Sequence, residues 1–176
     1  MDGYQNIFEK LSPYLEQLTV APNTKLLEQN KIAQKIYFID KGCLRQYIVK
    51  NGVEITAQFF LEKTMVSSAE SFRNNLPSQF VLESIEPTQL YYLDKRKFKE
   101  LANQDLELKG EIEKHIFDQF IYYQQLFLSR ITLTPQERYQ ELLTQQPDLI
   151  KRIAQKYLAS YLGVTPVSLS RIRARR

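Results

Sequence analysis

The chain has one cysteine, one histidine and no tryptophan in 176 residues. A single cysteine, Cys43, cannot close an internal disulfide, which fits a reducing compartment. One histidine argues against the His-rich metal centres of small β-barrel enzymes. No apolar run reaches about 18 residues, so no membrane-spanning helix is predicted. The N-terminus has neither a basic start nor an apolar stretch. No secretory signal is therefore expected, and the reading is a cytoplasmic protein without membrane contact. No Gly-rich phosphate loop or nucleophile–base motif is present. The chain is accordingly read as no enzyme, with no metal and no cofactor. The lack of Trp decides little beside eleven Tyr and ten Phe.

The most telling absence is of acid at one end. Residues 149–176 hold no Asp or Glu but seven Lys or Arg. The whole chain is only +4, so residues 1–148 sum to −3. A mildly acidic body carries a compact basic end, which favours a polyanion bound there.

Apolar residues from Tyr4 to Leu18 repeat at three and four, predicting a short amphipathic helix around Pro13. From about residue 20 to 95 the texture is β-rich. Runs at 35–39, 44–49, 54–60, 80–85 and 89–93 alternate with turn residues. Asn51-Gly52 is a hairpin signal, because a type I′ turn needs positive φ at both central residues. Asp40-Lys-Gly42 is a second expected turn. Several short strands so spaced predict an antiparallel sandwich or barrel.

Helical spacing returns after Phe98. Leu108, Ile112, Ile116, Phe120, Tyr123 and Phe127 mark a long helix over 105–131. Its wide apolar stripe is read as facing its own β-domain on one side and a second copy on the other. Thr134-Pro-Gln-Glu137 is a helix start with a capping box and Pro at the first helical position. Gln145-Gln-Pro147 is read as a loop.

The basic end then has the outline of a helix-turn-helix. Ala159 suits the helix crossing and Gly163 the reversal. Leu158, Leu162, Val164, Leu169 and Ile172 supply a shared core, and Thr165-Pro166 starts the second helix. That helix would present Pro166, Val167, Ser168, Arg171 and Arg175 to the major groove of double-stranded DNA. Arg171 is the best candidate base reader, since a guanidinium pairs with guanine O6 and N7. Ser168 and Ser170 suit a base edge or phosphate, and Val167 a thymine methyl. Lys156, Tyr157, Arg173 and Arg176 are expected to hold phosphates, which positions without reading sequence. With Thr165 and Arg175, these make up the expected DNA-contacting set.

The order of elements resembles the Crp/Fnr family of bacterial transcription regulators. The segments that carry the resemblance are Ile36-Tyr-Phe-Ile-Asp-Lys-Gly-Cys-Leu-Arg45, Asn51-Gly-Val-Glu54 and Tyr157 through Arg173. The chain looks most like the short members found in Bacteroidetes. The resemblance implies an α+β fold: an antiparallel β-roll of the cyclic-nucleotide-binding type, a long dimerisation helix and a C-terminal helix-turn-helix. The implied division is 1–104, 105–132 and 133–176. It also implies a homodimer on a palindromic site. Family members usually continue into a wing, and Arg176 falls only about ten residues after Pro166. The wing is thus expected to be absent or truncated.

The phosphate cassette of the family's cyclic-nucleotide binders is degraded here. Glu70 stands for its Glu and Ala69 for its Gly, while Ser78-Gln79-Phe80 occupies the place of its Arg-Ser/Thr-Ala. A phosphate would lack a charge-assisted bond of a few kcal/mol there. Glu70, Ser71, Ser78 and Gln79 are the expected ligand-pocket residues, for a small effector other than cyclic AMP. Iron–sulfur sensing fails on cysteine count. Cys43 is read as buried filler and His115 as an interface or surface residue. The alternative reading is a small-ligand-binding module with weak or lost DNA binding.

Overall fold

The computed structural model describes residues 2–174. Helix α1 (Asp2–Leu11) is followed by one 3-10 turn at Ser12–Tyr14. The expected helix through Leu18 stops early, and Leu18 lies in strand β1 (Glu16–Val20). Pro13 has no N–H for the carbonyl of Glu9, and the Ser12 hydroxyl donates to that carbonyl at 2.8 Å.

Seven further strands follow. They are β2 (Lys25–Leu27), β3 (Lys35–Lys41), β4 (Leu44–Lys50), β5 (Val53–Phe60), β6 (Met65–Val66), β7 (Val81–Ser84) and β8 (Thr88–Asp94). Five match the expected β-rich runs. β1, β2 and β6 lack enough length or alternation to announce themselves. The strands form two four-stranded antiparallel sheets, ordered β1-β8-β3-β6 and β2-β7-β4-β5, which make the antiparallel β-roll.

Two turns depend on positive φ. Asn51 (φ 52°) and Gly52 (φ 76°) join β4 to β5 as a hairpin. Gly42 (φ 115°) instead hands the chain from one sheet to the other, since β3 and β4 do not pair. A Cβ at Gly42 would lie 2.5 Å from Oγ1 of Thr88, so no larger residue fits.

Helix α2 (Ala69–Asn74) interrupts the strands, and α3 (Lys95–Gln104) leads into α4 (Leu106–Thr132). The Asp105 side chain caps α4 by accepting from the Glu107 and Leu108 N–H groups, and pairs with Lys10 of α1 at 2.8 Å. Only Leu108 and Ile112 of α4 are fully buried. At about 1.5 Å per residue the helix runs roughly 40 Å, well beyond the part covered by the roll.

Helices α5 (Pro135–Gln145), α6 (Pro147–Arg152), α7 (Gln155–Leu162) and α8 (Pro166–Ala174) complete the chain. The capping box at Thr134 and Glu137 forms as the spacing predicts. The expected loop at 145–147 shrinks to Gln146, because Pro147 begins the short α6.

Three apolar clusters hold these parts. One joins α1, β3, α3 and the start of α4 through Ile7, Leu11, Phe38 and Leu108. A second fills the roll, around Ile39, Leu44 and Leu90. The third ties Cys43 and Phe59 of the roll to Leu142, Leu149, Leu158 and Leu169 of the terminal helices. Each buried leucine there contributes about 1.5–3 kcal/mol. Burial pushes the Cys43 thiol up to about 12, as befits an inert packing residue.

Candidate nucleic-acid interface and ligand cavity

The helix pair α7 and α8 is built as its sequence suggests. Gly163 closes α7 in the left-handed conformation (φ 71°, ψ 31°), and Arg138 of α5 donates to the Leu162 carbonyl at 2.8 Å. Leu158, Ala159, Leu162 and Leu169 are buried between the helices. The Thr165 hydroxyl accepts from the Ser168 N–H at 3.1 Å and starts α8. Thr165, Pro166, Val167, Ser170 and Arg171 are exposed, and Val167 is 61% accessible despite being apolar. Ser168 is half-buried against Thr165. Ser170 accepts from the Gln155 amide at 2.6 Å, which ties α8 to α7. Arg175 and Arg176 lie outside the described residues.

The other cations of this end differ in circumstance. Arg173 is half-buried, with Nε donating to the Tyr139 hydroxyl at 3.2 Å. Lys151 pairs with Asp148 at 3.1 Å. Lys156 is exposed, its ammonium 4.5 Å from the Tyr157 ring centroid. Arg152 is held by carboxylates of the roll. It grips Glu62 bidentately (3.0 and 2.8 Å) and also pairs with Glu86. The Arg152 guanidinium holds the Glu62 carboxyl down at about 2.

Arg152 belongs to a seam joining α6 and α7 to the roll, which sequence reasoning missed. At its centre lies Arg45 of β4, 1% exposed. Its guanidinium is sandwiched between the rings of Tyr47 (3.9 Å) and Tyr157 (3.8 Å). It also bonds Glu54 at 2.6 Å and Glu83 at 3.2 Å. The Tyr47 hydroxyl donates to Glu83 at 3.0 Å, and burial with that carboxylate raises its pKa. Ser160 of α7 accepts from the Thr56 N–H and donates to the Glu54 carbonyl. The only sequence signal was the alternation of Arg45 and Tyr47 onto one face of β4, which does not name its partner.

The opposite face of the β4–β5 pair floors a cavity of about 450 Å³. Gln46 and Gln58 lie directly opposite each other there. Both are buried, and Oε1 of Gln58 has no hydrogen-bond partner among the described residues. Of the four expected pocket residues, Glu70 and Gln79 line this cavity. Ser71 and Ser78 do not. The Ser71 hydroxyl accepts from the Ala33 N–H at 2.8 Å, and Ser78 bonds Ser68 and Phe80 to hold the loop. Arg130 of α4 is the cation in the lining, and it already donates to the Ala57 carbonyl at 2.8 Å. Ala57 is the extra residue of a β-bulge opposite the Gln46–Tyr47 step.

This two-sheet roll has known counterparts. The cyclic nucleotide-binding domain family matches residues 17–105, and the chain belongs to that family. No curated protein matches the chain. Among solved structures, FixK2 from Bradyrhizobium japonicum is 15% identical, with a TM-score of 0.75 over 92% of this chain and 83% of that one. The c-di-GMP responsive global regulator CLP of Xanthomonas campestris is 12% identical, with a TM-score of 0.76 over 97% and 90%. A protein from Eubacterium rectale described as a transcriptional regulator of the Crp/Fnr family is 16% identical, with a TM-score of 0.76 over 97% and 82%. The likeness to these regulators is one of fold. Among the described residues, no helix is long and apolar enough to cross a membrane.

Proposed function

We propose that the chain is a homodimeric, DNA-binding transcription regulator of the Crp/Fnr type that works in the cytoplasm. Residues 1–104 sense a small effector, 105–132 dimerise, and 133–176 form the helix-turn-helix. The observation that carries this reading is α8. Its outward face bears Val167 and Arg171, both exposed, on a helix whose inner face is fixed by Leu169. A basic helix presented by a packed brace suits the major groove. Arg171 reads a base, with Val167 beside it. Lys156, Thr165, Ser168 and Ser170 contact nearby phosphates or base edges, and Arg175 is proposed as a further DNA contact. Arg173 is the weakest member of the set, because Tyr139 already holds it. Dimerisation is supported by α4, where Ile116, Phe117, Phe120, Phe127, Leu128 and Ile131 are each more than half exposed.

Fluorescence anisotropy on promoter fragments tests the DNA claim. Sequence-preferring affinity should fall steeply as salt rises. Binding that ignores sequence, or no binding at low salt, sinks the proposal. Sedimentation of the full chain tests the dimer, and a monomer at micromolar concentration would count against it.

A second reading, a ligand-binding module with weak DNA binding, is favoured by the cavity alone. Gln58 offers a buried acceptor without a partner, as a ligand-free recognition site would. Glu70 and Gln79 stand at its mouth. Arg130 already donates one N–H to the Ala57 carbonyl, and Ser78-Gln79-Phe80 brings no guanidinium to the cassette position. The effector proposed is accordingly a small molecule other than cyclic AMP. Calorimetry decides, since micromolar cyclic AMP binding without DNA binding would favour the module over the regulator.

A further inference from the structure

A second cavity, of about 460 Å³, lies between the roll, α2, α3 and α4. It shares only Ser67, Ala69 and Tyr123 with the amide-floored cavity. Its walls have the opposite chemistry. Ile36, Phe60, Val66, Phe72, Phe98 and Ile112 supply apolar lining, and the Phe72 and Phe98 rings meet edge to face at 5.6 Å. No Asp or Glu lines it.

The charged groups at this cavity are all basic. Arg73 at the end of α2 and Lys99 on α3 belong to the lining, and both are exposed. The Lys99 ammonium reaches the Arg73 carbonyl at 3.4 Å, so its charge lies beside the backbone from which the Arg73 side chain springs. Neither forms an ion pair among the described residues. Behind them Lys95 is buried, and its ammonium is held by neutral groups, the Asn75 side chain and the Ser71 carbonyl. Among the described residues, Lys97 is the one α3 cation paired with a carboxylate, Glu100 at 2.8 Å. Apolar walls with a few convergent polar groups at one end make a small-molecule site. The unpaired positive rim selects a ligand whose polar end is an anion.

We infer that this cavity takes a small organic acid with an apolar body, its carboxylate between Arg73 and Lys99 and its chain against Phe72, Phe98 and Ile112. The acid sits on the first turns of α4 that leave the roll. Its presence wedges α4 against α2 and α3, and so acts on the helix that leads to the terminal helices. Its anion-binding end, Arg73 and Lys99, shares no residue with the amide-floored cavity.

Calorimetry on the full chain tests it with three probes, decanoate and decyltrimethylammonium below their micelle concentrations and decanol below its solubility limit. Decanoate should bind once per chain. Decanol should bind about tenfold more weakly, having lost a charge-assisted bond, and the ammonium should not bind. The double substitution Arg73→Gln, Lys99→Gln should weaken decanoate about tenfold and leave Tm unchanged, because both side chains are exposed. Equal binding of all three probes, no binding of decanoate, or decanoate binding indifferent to the double substitution would each overturn the assignment. So would decanoate that binds only to monomer in sedimentation, since a second copy would then be the true occupant.

Discussion

The two helices of the terminal pair share one core yet face different partners. α7 is turned toward its own roll: Tyr157 stacks on Arg45, and Ser160 bonds Thr56 and Glu54. α8 touches α7 and leaves Val167 and Arg171 to solvent. A run of like charges therefore contains two kinds of cation. Arg152, Lys151 and Arg173 have partners within the chain, while Arg171 has no ion-pair partner among the described residues. Counting charges along the sequence overstates what is free for a polyanion.

The largest test removes what both helices share. Leu169→Ala should cost about 2–5 kcal/mol in urea unfolding, because a fully buried leucine would leave a cavity between α7 and α8. A loss below about 1 kcal/mol would mean the pair is not packed as described. Next, Arg171→Ala should leave stability within about 0.5 kcal/mol but weaken DNA binding by about 1–3 kcal/mol, read by anisotropy at fixed salt. If the two effects were reversed, the comparison between α7 and α8 would collapse.

Arg152→Ala sharpens the contrast from the other side. It should lower stability by about 1–2 kcal/mol, reduced from the buried-pair range because the partners are partly exposed. DNA affinity in this variant should change far less than in Arg171→Ala. The same pair sets a pH dependence. The Glu62 carboxyl is depressed from 4.5 to about 2 by Arg152. Its contribution is therefore complete above 4.5 and lost as pH falls through about 2. The urea midpoint should fall across that window, and less so in Arg152→Ala. Last, Lys151→Ala should shift stability by under about 0.5 kcal/mol, since both members of its ion pair are about three-quarters exposed.

Much of the fold was legible. Alternation marked β3, β4, β5, β7 and β8, and Asn51-Gly52 named its hairpin, because period and turn chemistry are local properties. The short β1, β2 and β6 were not legible, since they are strands only by virtue of their neighbours. The terminal pair was readable down to the Thr165 cap and the Gly163 reversal. The cassette's spacing pointed to Glu70 and Gln79, which line the cavity of about 450 Å³. Gln46 and Gln58 were missed, because nothing in two glutamines twelve residues apart announces that they lie opposite each other in register.

What the sequence determined by itself is whatever rests on local periodicity, turn chemistry and capping: the roll's main strands, the long α4, the reversal between α7 and α8, and a basic end. Tertiary structure alone decided which cations of that end are held and which are open. It also decided that Arg45 would be enclosed by two tyrosines 110 residues apart in the chain. An ion pair or a stacked guanidinium depends on a distance through space, and no spacing along one strand or helix encodes where the other partner will be.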